Sequence, residues 1–404
     1  MTIETSRPRS LKQLWPSQVI SITGQSVAAG PVHYASVEHY DAVVVGAGPA
    51  GAFSAYKLAQ AGARVVLLER RRTPRPKPCG GGLTPKAYRQ LDFPIDDLVC
   101  ARPHGVWLRG HGVEAFPLAD PRAEVWMVRR PAFDRRLADR AVAAGAELRD
   151  DEPVVSVEPG TVVTVRTSER AYKARAVVAA DGAESPIARA LGLRTRRDDR
   201  VVVGLETEVA AEDVSLHGRA LVDFDVPHGY AWVFPKGDVY NVGLGSFDRR
   251  TFPTLRARLN GFFERSGLRL LEEPRVLGHR IPIGGVAEQL HRGNVALVGD
   301  AAGVADGLFA EGIAYALQTG RIAAEETLRF LDGNSLDLGS YTRRVQRTLL
   351  RDLRAWSAIG ALVYRFPAFS MRLLRRSHRG QRLAAATIAG DRSLSKVWVR
   401  GATS

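Results

Sequence analysis

The chain is predicted to be an α/β protein with a parallel-sheet nucleotide-binding domain, an inserted mainly antiparallel β-sheet domain and a C-terminal helical segment. Three observations carry this. Residues 41–69 read strand, glycine-rich turn, helix, strand, and a βαβ unit of that size implies parallel strands joined by a right-handed crossover. The runs 201–209, 220–224, 230–234 and 239–245 are short, alternating and closely spaced, as in a meander of antiparallel strands. From Tyr341 onward the pattern is helical and strongly basic.

A length of 404 residues suggests two or three structural units. The boundaries read as an irregular extension at 1–38, a discontinuous nucleotide-binding domain at 39–84, 121–195 and 276–335, a substrate domain at 85–120 and 196–275, and a helical region at 336–404. Because the first strand opens abruptly at Asp41, Val37 is a candidate initiation residue, and residues 1–36 are then expected to be absent from the native protein. The longest uncharged apolar run, 355–364, is half of the ~20 residues that span a bilayer. Cys79 and Cys100 are the only cysteines, too few for a disulfide framework, so a reducing, cytoplasmic compartment is expected. The first residues lack the apolar core of a secretory signal. The formal net charge of +14 is carried mostly by arginine. This fits GC-rich coding, an anionic membrane surface or a phosphorylated ligand. Neither a zinc-finger, RNP or basic-zipper pattern nor a metal-ligand set is read, so no nucleic-acid partner is expected.

Between the first strand and helix stands Gly46-Ala-Gly48-Pro-Ala50-Gly51. In such a turn Gly46 permits the tight bend, Gly48 admits a pyrophosphate to the backbone, and Gly51 lets helix and strand pack closely. The helix N-terminus offers free N–H groups to phosphate. Glu69 closes the second strand, where an acid takes ribose hydroxyls, and Arg70 follows it. This is a Rossmann-like dinucleotide site. NAD and FAD both use it, and a second segment separates them. Asn294 to Gly303 forms a strand ending in Gly299-Asp300, with Glu311-Gly312-Ile313 opening a helix. The segment resembles the second FAD motif of glutathione-reductase-like flavoproteins, which implies that Asp300 binds the ribityl chain and that the helix N-terminus faces the flavin pyrimidine. Asp181-Gly182 resembles the Asp-Gly motif of the hydroxylase-like branch. Arg130-Pro-Ala-Phe133-Asp134 matches that branch's Arg-x-x-Phe-Asp helix start, or is a helix-start salt bridge.

Pro227-His-Gly-Tyr230-Ala-Trp232-Val-Phe234-Pro235 projects three aromatic rings to one face of a strand. Such a wall packs on a flavin, lines an apolar channel or forms part of a core, and its bracketing prolines are expected to limit ladder pairing. With Cys79-Gly80-Gly81-Gly82 after a basic, Pro-rich loop, these elements make the chain from about residue 39 onward resemble the geranylgeranyl reductase family of FAD-dependent oxidoreductases. The resemblance implies reduction of isoprenoid double bonds on a lipid, quinone or pigment precursor, with NADPH, a ferredoxin or a quinol as electron donor. It makes Tyr230, Trp232 and Cys79 the candidate catalytic residues, and Tyr230, Cys79 and His228 the candidate acids. One departure stands beside the flavin: Gly307 replaces the family's Pro and Ala310 precedes Glu311, so a looser turn and an altered pocket are expected. The alternatives are a flavin monooxygenase or halogenase acting on an aromatic substrate, a non-redox carotenoid-cyclase-like enzyme, and a flavin-bearing membrane-surface protein. Residues 355–376 alternate apolar and arginine positions, as a helix lying in a headgroup layer does, so peripheral contact with the inner face of the membrane is expected; a helix capping the flavin domain would read the same.

Overall fold

The computed structural model describes residues 37–118, 124–194, 200–284 and 288–391; the expected extension at 1–36, with its bearing on Val37 as a start, and the end of the helical region at 392–404 lie outside them. The first of its two large sheets has eight strands. Its main path runs His291–Arg292, Val295–Leu297, Ala171–Ala179, Val37–Val45, Val65–Leu68 and Glu147–Arg149. Val37–Val45 is parallel to both its neighbours. It starts before the expected Asp41, because Val37–Tyr40 pairs with Ala171–Ala174. Its continuous apolar run Ala42–Val45 is buried, as a parallel strand covered on both faces requires. The helices Pro49–Gln60 and Ile313–Leu331 cross closely over this sheet. A Cβ on Gly320 would lie 2.5 Å from the Ala50 carbonyl oxygen, and Ser54 Oγ donates to the Gly320 carbonyl at 2.9 Å.

The second sheet has seven strands in the order Leu277–Pro282, Val201–Val209, Val239–Ser246, Gly229–Lys236, Ala220–Asp223, Val106–Gly110 and Val113–Pro117. Of the four runs read as a meander, Ala220–Asp223, Gly229–Lys236 and Val239–Ser246 form one; Val201–Val209 instead lies beyond Val239–Ser246, and Ala220–Asp223 runs parallel to Val106–Gly110. Leu277–Pro282, grouped by the sequence with the nucleotide-binding domain, is an edge strand here and pairs with Val201–Glu206. The expectation that prolines limit pairing of the aromatic strand fails. Gly229–Lys236 pairs with Val239–Ser246 throughout, Pro235 lying opposite Tyr240. On the other side its pairing ends at Val233, so the missing N–H of Pro235 breaks no ladder bond there.

The helices Arg351–Arg365, Pro367–Arg376 and His378–Ile388 close over the second sheet. Trp356, Tyr364 and Met371 share a buried apolar cluster with Phe116, Val222 and Phe224. Among the described residues no helix is long and apolar enough to cross a membrane.

Candidate active site

A cavity of about 840 Å³ runs from the glycine turn after Val45 to the aromatic strand of the second sheet. The turn is built by backbone contact. A Cβ on Gly46, whose φ is +102°, would lie 2.3 Å from the Ala180 carbonyl oxygen, and one on Gly51 would lie 1.9 Å from that of Gly46. Gly51 therefore sits behind the cavity, while Gly46, Gly48 and Ala50 line it. Glu69 is buried beside them. It accepts from the Ala47 amide at 2.9 Å and from Arg75 at 3.1 Å, and Arg70 lines the cavity next to it.

The second segment meets this turn across the helix crossing. Gly299 and Asp300 follow the strand Val295–Leu297 in a short 3-10 turn, and Gly312 and Ile313 open the helix Ile313–Leu331; all four line the cavity. The Gly299 amide donates to Thr319 Oγ1 at 3.1 Å. Asp300 lies 3.9 Å from both Lys77 and His279. Burial pushes its pKa up, but the nearby His279 and the charge of Lys77 outweigh that and hold it down at about 2. Arg130 and Asp181 also line the cavity, and each has a structural partner. Arg130 forms a bidentate pair with Asp134 at 2.8 and 2.9 Å. Asp181 accepts from Ser185 Oγ at 2.7 Å and from the Ile187 amide at 3.0 Å, so its carboxylate caps the next helix.

The far wall is the aromatic strand. Trp232 lies 5.7 Å from Tyr230 and 6.3 Å from Phe234 between ring centroids, and its indole N–H donates to Asn241 at 2.6 Å. The Cys79–Gly82 turn closes on this wall. A Cβ on Gly80 would touch the Phe234 ring at 3.0 Å, and one on Gly81 would lie 2.3 Å from the Val128 carbonyl oxygen. The Cys79 amide donates to Glu206 at 2.6 Å, and its carbonyl accepts from Lys236 at 3.3 Å. The Tyr230 hydroxyl donates to the Phe309 carbonyl, and burial raises its pKa. His228 is exposed in the turn before the strand and does not line the cavity. Its proximity in sequence to Tyr230 is lost where the backbone takes a positive φ of 49°.

The loop around Gly307 corrects the expectation of a looser turn. Asp306 accepts from the amides of Leu308, Phe309 and Glu311 at 2.7–2.8 Å, and Tyr364 donates to the Leu308 carbonyl. Gly307 is required because the Arg351–Arg365 helix presses on it: a Cβ at 307 would lie 2.7 Å from Ser357 Cα, and one at Gly360 would lie 2.0 Å from the Gly307 carbonyl oxygen. Lys77, His279, Glu206 and Asp306 were missed from sequence. Glu206 had a local signal as one of two carboxylates in a strand that opens Val-Val-Val, and Asp306 caps its own loop; Lys77 and His279 acquire their partners through distant elements.

These features fit FAD. Glycines 46 and 51 bring a turn against backbone where no side chain fits, Glu69 stands at the end of the second strand, and Asp300 ends the second segment in the same cavity. The family model of the FAD binding domain matches residues 39–228. The chain is an FAD-dependent oxidoreductase. It is 32% identical over 334 residues to digeranylgeranylglycerophospholipid reductase 1 of Methanopyrus kandleri, covering 76% of this chain and 85% of that protein. It is 33% identical to the menaquinone reductase of Mycolicibacterium smegmatis, covering 70% and 75%. The solved geranylgeranyl bacteriochlorophyll reductase-like protein of Thermoplasma acidophilum superposes with a TM-score of 0.75 at 24% identity, covering 84% of this chain and 91% of that one. On the sequence relatives, the chain belongs to the geranylgeranyl reductase family of FAD-dependent oxidoreductases.

Proposed function

We propose that the protein saturates carbon–carbon double bonds of an isoprenoid chain carried on a lipid, quinone or pigment precursor. The observation that carries this reading is the continuity of one cavity between the FAD motifs and an apolar chamber bounded by Tyr230, Trp232, Phe309 and Trp356. A prenyl chain has little to hydrogen-bond, so it is recognised by apolar area and shape, each buried CH₂ contributing about 0.8 kcal/mol. The sequence relatives named for digeranylgeranylglycerophospholipid and menaquinone reduction support the same class.

FAD, once reduced by NADPH, a ferredoxin or a quinol, supplies a hydride equivalent. The chain's own residues do the rest. Gly46, Gly48, Ala50 and Glu69 hold the adenosine and pyrophosphate end. Asp300, Gly312 and Ile313 hold the ribityl and pyrimidine end, with Arg130 and Asp181 at the cavity wall. Tyr230, Trp232 and the Cys79 turn orient the alkene and exclude water, which strengthens every electrostatic interaction inside. Access from a bilayer is provided by the C-terminal helices, where Leu362, Phe366, Phe369 and Leu373 are exposed among Arg365, Arg372 and Arg376.

The test is anaerobic mixing of the FAD-reduced enzyme with a geranylgeranyl lipid, a prenylated quinone and geranylgeranyl diphosphate, each alone. The expected result is flavin reoxidation with a product that has gained two hydrogens per reduced bond. Reoxidation that requires oxygen and an aromatic substrate would overturn the reading in favour of a monooxygenase or halogenase. An isomerised product of unchanged mass would favour a cyclase.

A further inference from the structure

We propose that Glu206 is the catalytic acid of this site, an inference that rests on the alkene-reductase reading above. Cross-strand register carries the argument. Glu206 lies opposite Gly243, and Gly243 lies opposite Trp232. Directly opposed residues of antiparallel strands project to the same face, so Glu206 stands on the aromatic face, two strands away from Trp232. Gly204 and Gly245 occupy the next level of that face, opposite Tyr230. The strip between the aromatic column and the carboxyl is thus floored by glycine. The Trp232 indole lies down over it, and a Cβ on Gly243 would lie 2.3 Å from that ring. Glu206, Gly204, Tyr230 and Trp232 all line the cavity, facing the Cys79 turn. Two of the other candidates are less suited. Tyr230 has its proton committed to the Phe309 carbonyl, and His228 is outside the cavity.

The surroundings suit an acid. Burial raises the pKa of Glu206 and neighbouring Glu208 adds to that, against the Cys79 amide and the charge of Lys236. The net shift is upward, so the carboxyl keeps its proton to higher pH than an exposed glutamate does. In the proposed step the O–H bond of Glu206 breaks and a C–H bond forms at one alkene carbon. The other carbon takes the hydride equivalent from reduced FAD. The π bond is consumed, the alkene is reduced by two electrons, FAD is left oxidised, and the Glu206 carboxylate regains its proton from water.

Glu206→Gln separates this role from a structural one, because the amide oxygen still accepts from Cys79 but has no acidic proton. With a geranylgeranyl lipid under anaerobic single-turnover conditions, the variant should transfer hydride at least about 100-fold more slowly, with unchanged FAD content and substrate Kd. The wild-type rate should fall as pH rises through the raised pKa, and that limb should vanish in the variant. Glu206→Asp should recover part of the rate. Independently of turnover, infrared titration of the apoprotein should show a carboxyl band whose protonation midpoint lies above that of an exposed glutamate and which Glu206→Gln removes. A variant within about threefold of wild type, an absent infrared band, or a pH limb abolished by Cys79→Ser but kept by Glu206→Gln would each overturn the acid role. A wild-type enzyme that reduces no isoprenoid overturns the reductase reading and the acid role with it; the turnover of the wild type itself separates the two failures.

Discussion

The two sheets use glycine for opposite purposes. In the first, Gly46 and Gly51 bring backbone against backbone, so the turn is fixed by main-chain contacts at 1.9–2.3 Å from any added Cβ. In the second, Gly204, Gly243 and Gly245 leave a floor on which an aromatic side chain can lie. The first arrangement is compact, packing one turn against itself and against Ala180 at the end of the adjacent parallel strand. The second depends on three strands meeting in the correct register. Cofactor binding and substrate recognition should therefore fail separately.

The largest effect is expected in the first region. Gly51→Val forces a side chain into the Gly46 carbonyl and should destabilise the chain by about 3 kcal/mol or more. Purified protein should be colourless, or aggregated, when flavin absorbance per chain is measured. Gly243→Val should displace the Trp232 indole at about 1–3 kcal/mol while the protein stays yellow. Its kcat/KM for an isoprenoid substrate should fall at least about tenfold with FAD content unchanged; loss of FAD from this variant would break the comparison.

Asp300 links the two regions through Lys77 and His279. Its pKa is depressed to about 2 from an ordinary 3.8, so its contribution is fully present above pH ~4 and is lost as the pH falls toward ~2. Asp300→Asn should remove about 1–2 kcal/mol at neutral pH and flatten that acid limb in urea denaturation of the apoprotein. The smallest effect on stability should come from Phe366→Ser with Phe369→Ser, within about 0.5 kcal/mol, because both rings are already exposed. Sedimentation with anionic vesicles should nevertheless fall at least about tenfold, with FAD content and Tm unchanged.

Legibility followed the same division. The strand–turn–helix at 41–61 and the Gly299-Asp300 segment were read directly, because each is a short stretch whose residue types answer a backbone requirement. The alternating runs of the second sheet were read as an antiparallel meander, but the strands that flank it were not. The strands Val106–Gly110 and Leu277–Pro282 joined the sheet from far along the chain. Gly307 looked like a weakened turn, since Ser357 and Gly360, whose helix presses on it, lie some fifty residues away. Lys77 gained significance only when folding brought it beside His279 and Asp300.

By itself the sequence determined the dinucleotide turn, the parallel βαβ unit around it and the aromatic face of the strand ending at Pro235, because glycine spacing and strand periodicity act through neighbouring residues. Tertiary structure alone decided that Trp232 lies over Gly243, that Glu206 shares its face, and that the Arg351–Arg365 helix presses on the loop at Gly307. Those contacts form between strands and helices whose register and crossing distance come from packing, and packing is a property of the whole chain.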